Sequence, residues 1–464
     1  MPSFDAAPPV LSDALLRRFD APGPRYTSYP TAARFDQAFT AADCRRELTQ
    51  RGQAQAGPLS LYLHIPFCES VCYYCACNKV ITKHHERAAE YLDALDSEIA
   101  LVRAALGAGP SVSQLHFGGG SPTFLSDAEL GRVMASLQAA FHVAAEAEVS
   151  IEVDPRTVSD ARLAHLRQLG FNRISFGVQD FDPQVQQAVH RIQPHDSVRD
   201  LMRSARALGF QSINADLIYG LPRQTPESFA RTVAQISRLR PDRIALYAYA
   251  HLPQRFKPQR RILSAELPSA AQRVTMLGAA MAGLLARGYD YIGMDHFALP
   301  GDALAVARRE GRLQRNFQGY STQPDCDLVG LGVSAIGRVG ASYYQNAKTL
   351  PEYYAALRRG QLPVERGIAL GPDDLVRRAI IMALMCQGRV EFETIESTHA
   401  VLINEHFAAE LEQLAPLAEA GLVEIEPGAI QVTAGGWYVV RAVAMVFDRY
   451  LQKNPQRDRF SRIV

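Results

Sequence analysis

Four cysteines stand close together in the stretch CESVCYYCAC, as Cys68, Cys72, Cys75 and Cys77. Spacings of four, three and two put several thiols in one short loop, and thiolates gathered in this way hold metal. Iron-sulfur clusters normally take four cysteine thiolates; a set of three, Cys68, Cys72 and Cys75, would leave one iron free to bind a substrate or cofactor. A zinc site drawing on all four cysteines and a disulfide pair are the competing readings of the same spacing. Cys75 and Cys77 are one residue apart and are expected on opposite sides of an extended backbone, which makes a tetrahedral site using both awkward. Cys44, Cys326 and Cys386 are isolated and read as buried thiols.

The elements that must position this loop follow from the pattern after Leu59, where short β-branched or aromatic runs alternate with helical ones. Six strands are predicted: Leu59–Ile65, Val112–Phe117, Glu148–Val153, Arg173–Val178, Ser212–Leu217 and Arg243–Tyr249. Between them, Leu130, Val133, Met134, Leu137 and Phe141 recur at helical spacing behind a Ser126 and Glu129 capping box. A second helix opens with Thr225 as its cap and Pro226 at its first position, followed by Phe229, Val233 and Ile236. Such βα units predict an α/β fold with a parallel sheet, and six units rather than eight predict a barrel left open. The chemically unusual residues fall at one end of the strands. The cysteine loop follows the first, Gly118 to Gly120 the second, Glu152 and Asp154 close the third, Gln179 and Asp180 follow the fourth, Asp216 ends the fifth, and Ala250 with His251 follows the sixth. Each alone reads as a turn or a cap; together they mark the carboxyl rim, where barrel proteins assemble active sites.

Residues 1–42 read as an arm, 43–353 as a barrel domain, 354–371 as a linker and 372–464 as a small C-terminal domain. Within the arm GPRYTSYPT, from Gly23, sets Arg25, Tyr26 and Tyr29 among prolines, as an extended surface strip or a lid. After about Asp295 a loop-rich region including RNFQGY and GLGVSAIG is expected to finish the barrel's open side. From Pro372 a helix, a hairpin of Val423 to Ile425 with Ile430 to Val432, and a further helix suggest a winged-helix-like fold.

Hydrophobic residues make up 47% of the 464-residue chain, enough for a large core, and the net charge of +1 predicts no attraction to nucleic acid or anionic membranes. The start lacks a signal-peptide pattern and no run is long enough to span a membrane, so a cytoplasmic protein is expected. Seven cysteines with four in one loop do not form a disulfide framework.

The loop's CxxxCxxC pattern, with Tyr74 just before the third cysteine, resembles the cluster loop of radical S-adenosylmethionine (SAM) enzymes. LYLHIPFC, CACNK, HFGGGSPT, SIEVDPR, ISFGVQDF, NADLIYGLP, MDHF and NFQGY, following GPRYTSYPT in one order, together resemble the oxygen-independent coproporphyrinogen III oxidase (dehydrogenase) family from Gly23 to the FSRIV end. That resemblance implies a partial (β/α)6 barrel, a 4Fe-4S cluster on Cys68, Cys72 and Cys75, and a Cys77 that serves turnover without ligating. It implies two SAM molecules, with contacts divided among Tyr62, Gly119, Gly120, Ser121, Glu152, Gln179, Arg191, Asp216, Ala250 and Ile336, and Tyr74 near adenine. Ser121 stands where the family usually has Thr, and Tyr74 where it has Phe. Gln318 in NFQGY, and Arg25 and Tyr26 in an arm that closes over substrate, join Cys77 as catalytic candidates. The implied reaction converts two propionates of coproporphyrinogen III to vinyl groups, giving protoporphyrinogen IX in haem biosynthesis. Arg25, Lys79, Arg255 and Lys257 are candidates for the substrate carboxylates, and flavodoxin or ferredoxin for the electron donor of a monomeric enzyme. A haem-binding chaperone of the same superfamily is the alternative; those relatives lack the cysteine that is Cys77 here.

Overall fold

The structure, a computed structural model, describes residues 22–54, 57–107 and 111–453. Residues 1–21, half of the predicted arm, and the FSRIV terminus lie outside them. The chain divides into two compact units; among the described residues one comprises 34–269 and 326–369, the other 22–33, 270–325 and 370–453.

The first unit is an α/β unit built on one mixed sheet. Its strands are β1 (Leu59–Ile65), β2 (Val112–Gly119), β3 (Val143–Val153), β4 (Arg173–Gln179), β5 (Ser212–Tyr219), β6 (Arg243–Ala248), β7 (Asp327–Leu331), β8 (Ile336–Val339), β9 (Ser342–Asn346) and β10 (Val364–Ala369). In the sheet they run β10-β9-β8-β7-β1-β2-β3-β4-β5-β6. β1 to β6 pair in parallel, β7 lies parallel to the free side of β1, and β8 to β10 add antiparallel strands beyond it. The GLGVSAIG segment therefore forms the end of β7, a turn over residues 332–335 and the start of β8.

Alternation along these strands decides what faces where. On β5, Ile213, Ala215 and Leu217 are buried while Asn214 and Asp216 are only partly so. β4 repeats the pattern, with Ile174, Phe176 and Val178 inside and Ser175 and Gly177 on the other face. One face is thus apolar and covered by helices, the other polar and accessible, unlike the doubly buried parallel sheet of most α/β proteins. The helices start where their caps predict. Ser126 Oγ accepts from Glu129 N at 3.3 Å while Glu129 Oε2 accepts from Ser126 N at 2.8 Å, and Thr225 caps the helix Pro226–Leu239. Phe141 ends its helix as the C-cap. β3 begins earlier than expected because its polar, Ala- and Glu-rich start has little β propensity and pairs only through Val143 opposite Val112 before the register shifts.

In the second unit, Asp290–Gly293 pairs antiparallel with His296–Ala298, and Gln314–Asn316 with Gly319–Ser321. The helix Pro372–Gln387 leads to a three-stranded sheet of Arg389–Glu391, Ala429–Val432 and Val423–Glu426, one strand more than the predicted hairpin. GPRYTSYPT is not a surface strip. Tyr26 and Tyr29 are 1% and 0% exposed, the Tyr26 hydroxyl donates to Asp448 Oδ2 at 3.1 Å, and Arg441 Nε donates to Pro24 O at 3.0 Å. Two aromatic rings bury too much apolar area to be left on a surface when a carboxylate can satisfy the hydroxyl. Among the described residues no helix is long and apolar enough to cross a membrane.

Candidate active site

The cysteine loop leaves β1 and is folded back by backbone bonds. Phe67–Cys68 pairs in parallel with Val80–Ile81, Thr82 N donates to Cys68 O at 2.9 Å, and Cys75 N donates to Cys72 O at 3.2 Å. The local path is a turn, so the expected separation of Cys75 and Cys77 to opposite sides does not occur: the two are near enough to shift one another's titration. Cys77, then Lys79, pulls the Cys75 thiol down to about 6 despite its burial. Burial, with the neighbouring thiols Cys75 and Cys72, pushes Cys68 up to about 12. Cys72 is buried and receives two guanidinium groups, Arg191 Nη1 at 3.4 Å and Arg156 Nη2 at 3.5 Å. Both arginines also reach Asp154 Oδ2, at 3.1 and 2.6 Å. Lys79 Nζ donates to Cys75 O at 3.0 Å and Cys77 O at 3.4 Å, so its charge is turned onto the loop rather than held out for a distant carboxylate. Among the described residues no three His, Cys, Asp or Glu side chains gather around a single-ion position.

The polar sheet face carries the other predicted residues in register. Tyr62 lies opposite His116, His116 opposite Ser150, Glu152 opposite Ser175, and Gly177 opposite Asp216. Tyr62 stacks on His116 at 5.9 Å and its hydroxyl meets His64 Nδ1 at 3.1 Å. Glu152 accepts from Gly119 N at 3.2 Å and faces His116 Nε2 at 3.2 Å. Surrounding protein pushes the Glu152 carboxyl up, but the His116 hydrogen bond and charge, with Gly119, hold it below its ordinary value. Asp216 accepts from Ser175 Oγ at 3.0 Å and Asn214 Nδ2 at 2.9 Å. Burial, and then the charge of Glu152, outweigh those donors and raise it to about 6.

Gly119 has φ +115, and a Cβ there would meet the His64 ring at 2.7 Å; one on Gly120 would meet Pro66 O at 2.7 Å. These glycines are already required by the chain's own close approach. Ser121 is buried, its hydroxyl 3.3 Å from Thr123 Oγ1. Gln179 adopts φ +67, costly for a side-chain-bearing residue, and turns its amide towards Gly177, whose Cβ would lie 2.9 Å from it. Arg191 Nη2 donates to Gly177 O at 2.7 Å. Ala250 and Tyr74 are tied together through Gln259, whose Nε2 donates to Tyr74 O at 3.0 Å and Ala250 O at 3.2 Å. Ile336 opens β8.

Arg25, Tyr26 and Gln318 belong to the other unit. Arg25 pairs with Asp295, Tyr26 is held by Asp448, and Gln318 sits in the turn of the Gln314–Asn316 and Gly319–Ser321 hairpin, its N–H on Asn316 Oδ1 at 2.8 Å. Sequence reasoning missed Arg156, His116 and Gln259. His116 was findable, since it stands two residues before Gly118 on the same strand and therefore on the same face. Arg156 and Gln259 act through folded contacts that no spacing announces.

Comparison with known proteins matches residues 62–236 to the radical SAM superfamily and residues 370–439 to the HemN C-terminal domain. The oxygen-independent coproporphyrinogen III oxidase of Pseudomonas aeruginosa is 49% identical over 453 residues, covering 97% of this chain and 98% of its own. Those of Salmonella typhimurium and Helicobacter pylori are 48% and 42% identical, covering 97% and 94% of this chain and 98% and 96% of their own. The solved coproporphyrinogen III oxidase (HemN) of Escherichia coli, a radical SAM enzyme, superposes with a TM-score of 0.91 at 47% identity, covering 95% of this chain and all of that one. With the three-cysteine loop, the polar sheet face and this likeness along nearly the whole length, the chain belongs to the oxygen-independent coproporphyrinogen III oxidase family of radical SAM enzymes.

Proposed function

We propose that this chain is the radical SAM enzyme that oxidatively decarboxylates two propionates of coproporphyrinogen III to vinyl groups, giving protoporphyrinogen IX in haem biosynthesis. The observation that carries the reading is the loop of Cys68, Cys72 and Cys75 at the carboxyl end of β1, in a chain similar over nearly its whole length to relatives with that activity. The polar sheet face is the lumen of a partial (β/α)6 barrel, and the helices and strands after Pro372 form a winged-helix-like C-terminal domain beyond an N-terminal arm.

Cys68, Cys72 and Cys75 hold the 4Fe-4S cluster. The donor set fits it: three thiols in one loop, cations at Cys72 and a Cys75 drawn towards its thiolate. When bound, the cluster and SAM supply a 5'-deoxyadenosyl radical able to take a hydrogen atom from carbon. The chain's residues bind and orient. Glu152, kept ionised by His116 and Gly119, offers its carboxylate to the amino group of SAM; Asp216 and Gln179 accept from and donate to its polar groups; Arg191 pairs with a carboxylate. Tyr62, Gly119, Gly120, Ser121, Ala250 and Ile336 complete the contacts, with Tyr74 against adenine, and two SAM molecules share them. Cys77 is not a ligand and serves turnover.

The reaction balances per propionate. A hydrogen atom leaves the carbon next to the ring, carbon dioxide departs, one electron passes to an acceptor, and a vinyl group remains. Anaerobic incubation of reconstituted protein with SAM, dithionite and coproporphyrinogen III should give protoporphyrinogen IX, with 5'-deoxyadenosine formed alongside. Bound haem with no vinyl product would select the chaperone reading instead.

A further inference from the structure

Each turnover needs an electron at the cysteine loop, and the loop has two sides. On one side Cys72 meets Arg156 and Arg191. On the other, Tyr73 packs against an apolar cluster of Val185, Val189, Leu221, Tyr249 and Ile262, from the segments that follow β4, β5 and β6. Its ring stacks on His190 at 5.1 Å and lies 5.1 Å beneath the Arg261 guanidinium, which also donates to its hydroxyl at 3.0 Å.

Around this stack the surface is both basic and apolar. Arg255, Lys257, Arg260 and Arg261 are exposed in one short segment, and among the described residues none has a carboxylate within ion-pair distance. Many arginines among the described residues do have one, such as Arg132, Arg199 and Arg309, and the nearest acid along the segment, Glu266, is taken by Arg223 at 2.7 Å. Ile192 and Leu263, 63% and 62% exposed, lie two residues beyond His190 and Arg261. Unpaired cations beside exposed aliphatic side chains are the composition of a face that meets an acidic protein.

We propose that Tyr73, His190, Ile192, Arg260, Arg261 and Leu263 form the docking surface for an acidic one-electron carrier protein of the ferredoxin type. The inference rests on the reading of Cys68, Cys72 and Cys75 as cluster ligands. One electron leaves the reduced carrier, oxidising it by one, and reduces the cluster by one; no atom is transferred. The carrier's carboxylates supply the partners these cations lack, and Ile192 and Leu263 give the contact its dry centre. A tetracarboxylate substrate is the poorer fit, because it must meet the polar sheet face of Glu152 and Asp216, whereas these residues border the apolar cluster outside the strands.

The test uses the reconstituted full chain and its Arg260→Glu/Leu263→Glu variant, with a reduced acidic [2Fe-2S] ferredoxin as probe and dithionite as the small-molecule reductant. Cluster reduction is followed anaerobically by stopped-flow absorbance. In the variant the second-order rate with ferredoxin should fall about tenfold or more at low ionic strength, while the wild-type rate falls with added salt and reduction by dithionite stays unchanged. The milder Ile192→Ser should show the same selectivity at smaller size. An unchanged ferredoxin rate overturns the proposal, and so does an equal loss with dithionite, which would locate the damage in the loop. A raised KM for coproporphyrinogen III under dithionite overturns it by giving the cations to the substrate. Wild-type protein that takes up no iron would instead sink the cluster assignment beneath it.

Discussion

Glu98 and Glu152 are two carboxylates beside the same sheet, and their surroundings assign them opposite work. Glu98, 1% exposed, is enclosed by three neutral donors: Gly332 N at 2.7 Å, Asn346 Nδ2 at 2.6 Å and the Tyr353 hydroxyl at 2.6 Å. Burial nevertheless raises it to about 7. It braces the turn between β7 and β8 and has nothing left to offer a ligand. The Glu152 side chain is 45% exposed on the polar face, with a histidine and a backbone N–H holding it ionised and one side open. A carboxylate saturated by neutral donors is structural; one charged and left partly open is available to a bound cation.

The comparison breaks most completely at the open side. Replacing Cys68, Cys72 and Cys75 together by Ala should abolish iron uptake, the visible charge-transfer absorption and all vinyl product, while the melting transition of the iron-free protein barely moves. A triple variant with a normal cluster spectrum would refute the ligand set. At the closed side the loss is of stability. Glu98→Ala orphans three buried donors at about 1 kcal/mol each, so about 3 kcal/mol should disappear from denaturant unfolding. The sign with pH follows from the raised acid. An unfolded glutamate ionises near 4.3, whereas folded Glu98 keeps its proton to about 7, so its contribution is full at acid pH and declines as pH rises across that window. Glu98→Ala should flatten that decline.

The two sides were not equally legible in the sequence. Strand alternation and the carboxyl-end positions of Glu152, Asp216 and the cysteines are periodic, local signals, and they place the polar face well. Glu98 looked like any helix glutamate, because its partners lie more than two hundred residues away in sequence. The burial of Tyr26 on Asp448 escaped for the same reason, and so did the facing of Cys75 and Cys77, since spacing predicts sides of an extended chain and this loop turns. Local pattern fixes which face a residue takes; what it touches across the fold is set by packing.

Asp216 sharpens the contrast at intermediate size. It shares the polar face with Glu152 but is raised to about 6 by burial and by that neighbouring charge. If its carboxylate accepts from SAM, affinity should strengthen as pH rises through about 6. Asp216→Asn should remove that step and weaken binding about tenfold, near 1.4 kcal/mol, with iron content unchanged. Calorimetric titration of SAM at several pH values checks this; a pH-independent wild-type affinity would remove Asp216 from the contact set.

The smallest change tests whether Glu98 is purely structural. Tyr353 stacks on Tyr91 at 5.7 Å and gives Glu98 one of its three donors. Tyr353→Phe keeps the ring and its packing but deletes that hydrogen bond, so the cost should be about 1 kcal/mol, a third of that of Glu98→Ala. Because the Tyr353 hydroxyl lowers the carboxyl, its removal should push Glu98 further up and carry the decline in stability to pH values above 7, opposite in direction to the flattening produced by Glu98→Ala. SAM affinity and cluster content should stay at wild-type levels, since neither residue touches the polar face. Unfolding curves collected between pH 5 and 8, alongside SAM titrations of the same preparations, separate the outcomes: a loss of SAM binding larger than the loss of stability would move Glu98 from the frame of the site into the site itself.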